Sequence, residues 1–257
     1  MIEPGSSTEP GFFILNRLST LKKKILQINN RLIKHFGVPE RKYPLPSPLS
    51  ILIGTILSQN TNDNNSFIAY KNLKSKFPDW TQAANARLNQ IENEIKVAGL
   101  WKQKARAIKS VLKYFKEKDS SLSLDYLKEM DSDSILNELT SFKGVGIKTA
   151  SCVLLFSLDR NVCPVDTHVF RTLNRIGLVQ ESTPEKTFYA IKNNIPDRIA
   201  HPFHTNLIRL GREICKPQKP LCGLCPLKRV CMFDDKNINI VDAVKNREFM
   251  LLDSIYD

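Results

Sequence analysis

Two side chains in this sequence have the types and the setting for chemistry on a nucleic-acid backbone. Lys148 follows the turn Gly144-Val145-Gly146, and Asp166 stands eighteen residues further on, in Val165-Asp166-Thr167-His168. Two glycines one residue apart let the backbone turn where a side chain would obstruct it, and leave successive N–H groups at the start of a helix opening at Ile147. Such a corner suits a phosphate group. Lys148 lies just inside that helix, where a cation is poorly matched to the positive end of the dipole. An amine so placed is disposed to attack a carbon atom, although contact with a phosphate is the plainer role. Asp166 reads as the N-cap of a further helix, and a capping bond favours the ionised carboxylate. An anion beside a sugar can stabilise the positive charge that develops at the anomeric carbon as a glycosidic bond breaks. His168 receives no catalytic role, and Arg171 reads as a phosphate contact.

Cys215, Cys222, Cys225 and Cys231 form a C-x6-C-x2-C-x5-C array. Four thiolates so close in sequence can enclose one metal centre. Zinc sites usually show two close pairs, whereas this array has one, so the spacing favours an iron–sulfur cube and leaves zinc as the alternative. Lys216 and Lys219 stand beside Pro217 and Pro220 in the first loop, which makes a stiff, positively charged segment suited to DNA. Cys152 and Cys163 read as small core residues.

The elements that must position these groups are helical. Lys and Arg number 38 against 26 Asp and Glu, a net charge of +12, which favours a polyanionic partner, nucleic acid ahead of an anionic membrane surface. No apolar run approaches the roughly 18 residues of a membrane span, so a soluble protein is expected. Glu3 and Glu9 argue against a targeting leader, and residues 1–17 read as a short disordered lead-in. Cysteines crowded as ligands point to a reducing, intracellular setting. Apolar residues recur at Leu18, Leu21, Ile25, Ile28, Leu32 and Phe36, an amphipathic helix closed by Gly37. Ser47-Pro48 opens an apolar, buried helix that ends in the polar run Ser58 to Asp63. Further helices are expected over Arg87–Val97 and Lys102–Lys118, before the glycine turn, from a capping box at Ser182–Glu185, and along Phe203, Leu207 and Leu210. No stretch alternates like a strand, so the fold class is all-α. The function of the tail, residues 234–257, is not legible.

Taken together, FKGVGIKTA, VDTHVFR and the cysteine array resemble the endonuclease III family of helix-hairpin-helix DNA glycosylases, over about residues 20–233. The resemblance implies a two-domain helix-hairpin-helix glycosylase fold with a DNA cleft between the domains. A six-helix barrel domain would span 49–161, with its hairpin at 134–158, and an iron–sulfur helical domain would combine 18–48 with 162–233. It further implies a [4Fe-4S] cluster on Cys215, Cys222, Cys225 and Cys231, a nucleophilic Lys148, and a catalytic Asp166. The partner implied is double-stranded DNA carrying damaged bases or abasic sites, met by a monomer. Gly144, Val145 and Gly146 would hold a phosphate. Asn60 aligns with the family's inserted glutamine, and Gln59 precedes it, so the wedge residue is one of these two. The implied activity is excision of oxidised pyrimidines with β-elimination at the abasic site. A mismatch-specific glycosylase and a non-catalytic DNA-binding protein are the alternatives.

Overall fold

The structure is a computed structural model that describes residues 10–239 (backbone alone for 10–19), 244, 246–247 and 249–255. Among the described residues there are eleven α-helices and no strand. The helix around which one group is built is α2 (Pro48–Ser58). Its N-cap Ser47 accepts a hydrogen bond from the Ser50 amide, Pro48 fills the first turn, and every residue from Pro48 to Leu57 is buried. An element apolar on all sides must be surrounded. It packs against α3 (Asp63–Lys76), α6 (Trp101–Lys118) and α8 (Ile147–Phe156), while α4 (Trp80–Asn85) and α5 (Leu88–Glu94) cover α6, and α7 (Ser132–Thr140) pairs with α8.

The second group centres on α11 (Ala200–Glu213), which packs against α1 (Pro10–Phe36) and α9 (Thr167–Ile176), with α10 (Pro184–Lys192) against α9. Contacts between α8 and α11 join the groups. Among the described residues no helix is long and apolar enough to cross a membrane.

Several local expectations need correction. Helix α1 starts at Pro10, upstream of Leu18, so part of the expected disordered lead-in is helical; residues 1–9 lie outside the described residues. The six-residue α4 was not foreseen, because it is too short to display a stripe; its signal was Asp79, whose side chain accepts from the Thr81 amide. At α10 the cap is Thr183, whose hydroxyl accepts from the Lys186 amide, so the capping box expected over Ser182–Glu185 does not form.

Candidate active site

The turn between α7 and α8 carries its conformational load on one glycine. Gly144 has φ +90°, in the left-handed region, whereas Gly146 is an extended N-cap with φ −98°. A Cβ on Gly146 would meet nothing within 4 Å, so that position keeps open space in front of the α8 N-terminus. Val145 is buried and its amide closes the turn on the Phe142 carbonyl at 3.0 Å. Lys148 is half-buried in the first turn of α8.

Asp166 caps α9, its Oδ1 accepting from the Val169 amide at 2.8 Å. Burial alone would push this carboxyl up, but the amide, the imidazoles of His168 and His204, and Lys148 together hold it below its ordinary value. Lys148 and Asp166 therefore act on one another, and both act on Cys152 and His204, so four groups from α8, α9 and α11 share one neighbourhood. Burial pushes His204 down to about 4, and its Nδ1–H donates to the Pro164 carbonyl at 2.9 Å. It is a neutral wall. His168 is likewise pushed down by burial. A guanidinium only donates, so the 3.2 Å contact of Arg171 Nη2 with His168 Nδ1 places the imidazole proton on Nε2.

His168 also lines a cleft of about 880 Å³, together with Thr61 and with Asn64 in the first turn of α3. The polar run after α2 thus borders the same space as His168 in the first turn of α9. Within that run Gln59 is held: its Nε2 donates to the Gly144 carbonyl at 2.9 Å and to Thr149 Oγ1 at 3.3 Å, tying the end of α2 to the hairpin. Asn60 is exposed, with φ +51°. Arg171 does not face outward as a phosphate contact. It donates to the carbonyls of Gly211 and Cys215, both at 2.9 Å, and so fastens α9 to the end of α11. The signal that could have found this is its place one helical turn before Arg175, which donates to the Lys216 and Pro217 carbonyls. Lys219 is exposed and Lys216 half-buried on the loop so anchored.

Cys215, Cys222, Cys225 and Cys231 are free thiols lining one pocket. Burial pushes the Cys225 thiol up to about 12, and Cys215, Cys231 and Cys222 add to the shift. Among the described residues no three His, Cys, Asp or Glu side chains come together as a site for a metal ion. A lone zinc needs its sulfurs about 2.3 Å from a single point. Four free thiols lining one pocket are a donor set of the kind that an iron–sulfur core or a zinc ion takes.

Residues 53–197 match the HhH-GPD superfamily of base excision DNA repair proteins. Endonuclease III of Thermotoga maritima is 35% identical over 81% of this chain and 92% of its own length. Endonuclease III of Sulfolobus acidocaldarius is 33% identical over 73% of this chain and 82% of its own. A candidate DNA glycosylase of Arabidopsis thaliana is 39% identical over 70% of this chain, which spans 65% of that protein, just under two thirds. Among solved structures, a non-covalent endonuclease III–DNA complex matches with a TM-score of 0.69 and 27% identity, over 82% of this chain and 95% of that one. A thermostable thymine-DNA glycosylase, at TM-score 0.66 and 19% identity over 82% and 96%, shares the fold. With the glycine hairpin, the capped aspartate and the cysteine pocket all present, the chain belongs to the endonuclease III family of the HhH-GPD base excision DNA repair proteins.

Proposed function

We propose that this protein is a DNA glycosylase and abasic-site lyase that removes oxidised pyrimidines from double-stranded DNA. The observation that carries the reading is the shared neighbourhood of Lys148 and Asp166 beside a turn open to phosphate. The damaged nucleotide leaves the stack, which costs least where pairing is already weakened. Lys148 Nζ, as the free amine, bonds to C1′ while the glycosidic C–N bond breaks; the bonding pair leaves with the base, which takes up a proton. Asp166, ionised, stabilises the positive charge on the sugar meanwhile. Ring opening leaves an imine between C1′ and Lys148. Loss of a proton from C2′ then expels the 3′ phosphate oxygen with the C3′–O bonding pair, and water releases the lysine.

The duplex lies between the two helix groups, with a backbone phosphate at Gly144 to Gly146. Asn60 fills the gap left by the extruded nucleotide, because it is exposed while Gln59 is bound to the hairpin. Cys215, Cys222, Cys225 and Cys231 would hold a [4Fe-4S] cluster, which when bound would steady the loop carrying Lys216 and Lys219.

Borohydride trapping on an abasic duplex tests the lysine chemistry. The native protein gives a covalent adduct and Lys148→Ala none; no native adduct, or an equal one from the variant, rejects it. Release of an oxidised pyrimidine from a duplex assigns the wedge: Asn60→Ala slows it more than tenfold, and a larger loss in Gln59→Ala reverses the assignment.

A further inference from the structure

The residues beyond the cysteine loop build part of the cleft. Residues 246–247 and 249–255 lie across α2, α3 and α11 and are fastened there by contacts of their own. Met250, Leu251 and Ile255 are buried. Asp253 Oδ1 bonds to His201 Nε2 at 2.8 Å, and Arg212 Nη1 bridges the Phe249 carbonyl at 3.3 Å and Asp63 Oδ2 at 3.0 Å. The Arg247 amide donates to Glu213 Oε1 at 3.2 Å. A segment with buried apolar residues and hydrogen bonds to α11 is a fixed strap.

Where the strap crosses between α3 and α11 it presents side chains to the cleft. Arg247 and Phe249 line the space of about 880 Å³ that His168 also lines. Phe249 is 41% exposed and stands edge-on to Phe67, ring centroids 5.5 Å apart, which holds its ring in place. His168 stands in the first turn of α9, the helix that Asp166 caps, so the cleft reaches the element that carries this carboxylate. Asp63 and Arg212, which also line it, are engaged with each other. The strap supplies an aromatic surface and a donor-only guanidinium.

We propose that this strap is one wall of the pocket that receives the extruded base, with Phe249 as its stacking surface and Arg247 as a donor to carbonyl oxygens on the base edge. The ligand class is a pyrimidine dione, intact or ring-oxidised, whose O2 and O4 carbonyls on either side of N3–H can accept from an arginine; adenine offers an amino donor and ring nitrogens in their place. The inference rests on the glycosylase reading above, since it names the substrate surface of the same site.

The test uses the full-length protein with its cluster and two rates from each preparation: single-turnover release of an oxidised pyrimidine, and cleavage of a preformed abasic duplex. In Phe249→Leu, which keeps an apolar contact to Phe67, and in Arg247→Ala, the ratio of base release to abasic cleavage falls at least tenfold, with Arg247→Lys intermediate. A ratio that falls by less, stays constant or rises overturns the assignment, whether both rates stay high or decline together. Failure of the glycosylase reading itself is distinct: the unsubstituted protein then performs neither reaction and gives no borohydride adduct.

Discussion

Lys104 lies on the face of α6 that carries Ile108, Val111 and Phe115, and it is only 2% exposed. Its Nζ donates to the Leu57 carbonyl at 2.8 Å and the Ala98 carbonyl at 2.9 Å, closing the end of α2 immediately before Gln59 and Asn60. Burial lowers its pKa from 10.5 to about 8. Between those two pH values the unfolded chain holds a proton that the folded chain has released, so stability rises with pH across that window and is lost as pH falls through 8. Denaturant unfolding should therefore show the native protein gaining stability relative to Lys104→Met from pH 8 to 10.5. Parallel curves would mean that the amine is not desolvated. At this scale the sequence is informative where chemistry is local: Lys148 at a helix start and Asp166 at a cap are both found where the motifs place them. It misleads where a side chain reaches far along the chain. Arg171 reads as surface charge until α11 is folded beside it, and Lys104 would have been noticed only as a lysine four residues before Ile108 on an apolar stripe.

At the scale of elements, the cysteine loop is positioned by two arginines on α9. Arg171 and Arg175 bind the carbonyls of Cys215, Lys216 and Pro217, which orients the start of the loop. The cluster proposed on the four cysteines would fix the remainder. Substituting Cys222 and Cys225 by serine should abolish visible absorption yet leave the helical circular dichroism largely intact. It should also lower the salt dependence of abasic-duplex binding by about two counterions, one each for Lys216 and Lys219. An unchanged salt slope would remove these lysines from the interface. Helix identity at this scale was legible from apolar spacing and caps, as at Ser47 and Asp166. The division of labour within the glycine turn was not, because Gly144 and Gly146 are alike in sequence, and only the backbone shows that one needs positive φ while the other keeps space clear.

For the whole molecule, the strap is the feature that ties the two helix groups together across the cleft, and Gly54 is where its end is seated. Gly54 stands in the middle of the apolar run of α2, where a helix-breaking residue has no local reason to be. A Cβ built there would lie 2.3 Å from Ile255 Cδ1, so the glycine makes room for the strap. This could not be read from sequence, because the contact joins residues two hundred positions apart and depends on both ends being folded. Two effects oppose each other in Gly54→Ala. Alanine favours a helix interior by about 1 kcal/mol, whereas overpacking a filled site costs about 1–3 kcal/mol. Ile255 is 2% exposed and has little room to yield, so overpacking should win and Gly54→Ala should unfold at lower denaturant. Base release should decline with it, because Phe249 and Arg247 move with the strap. Adding Ile255→Ala removes the clash but leaves a gap, so the double variant should be more stable than the sum of the two single losses predicts. Strict additivity in unfolding free energy would show that the end of the strap does not rest on α2.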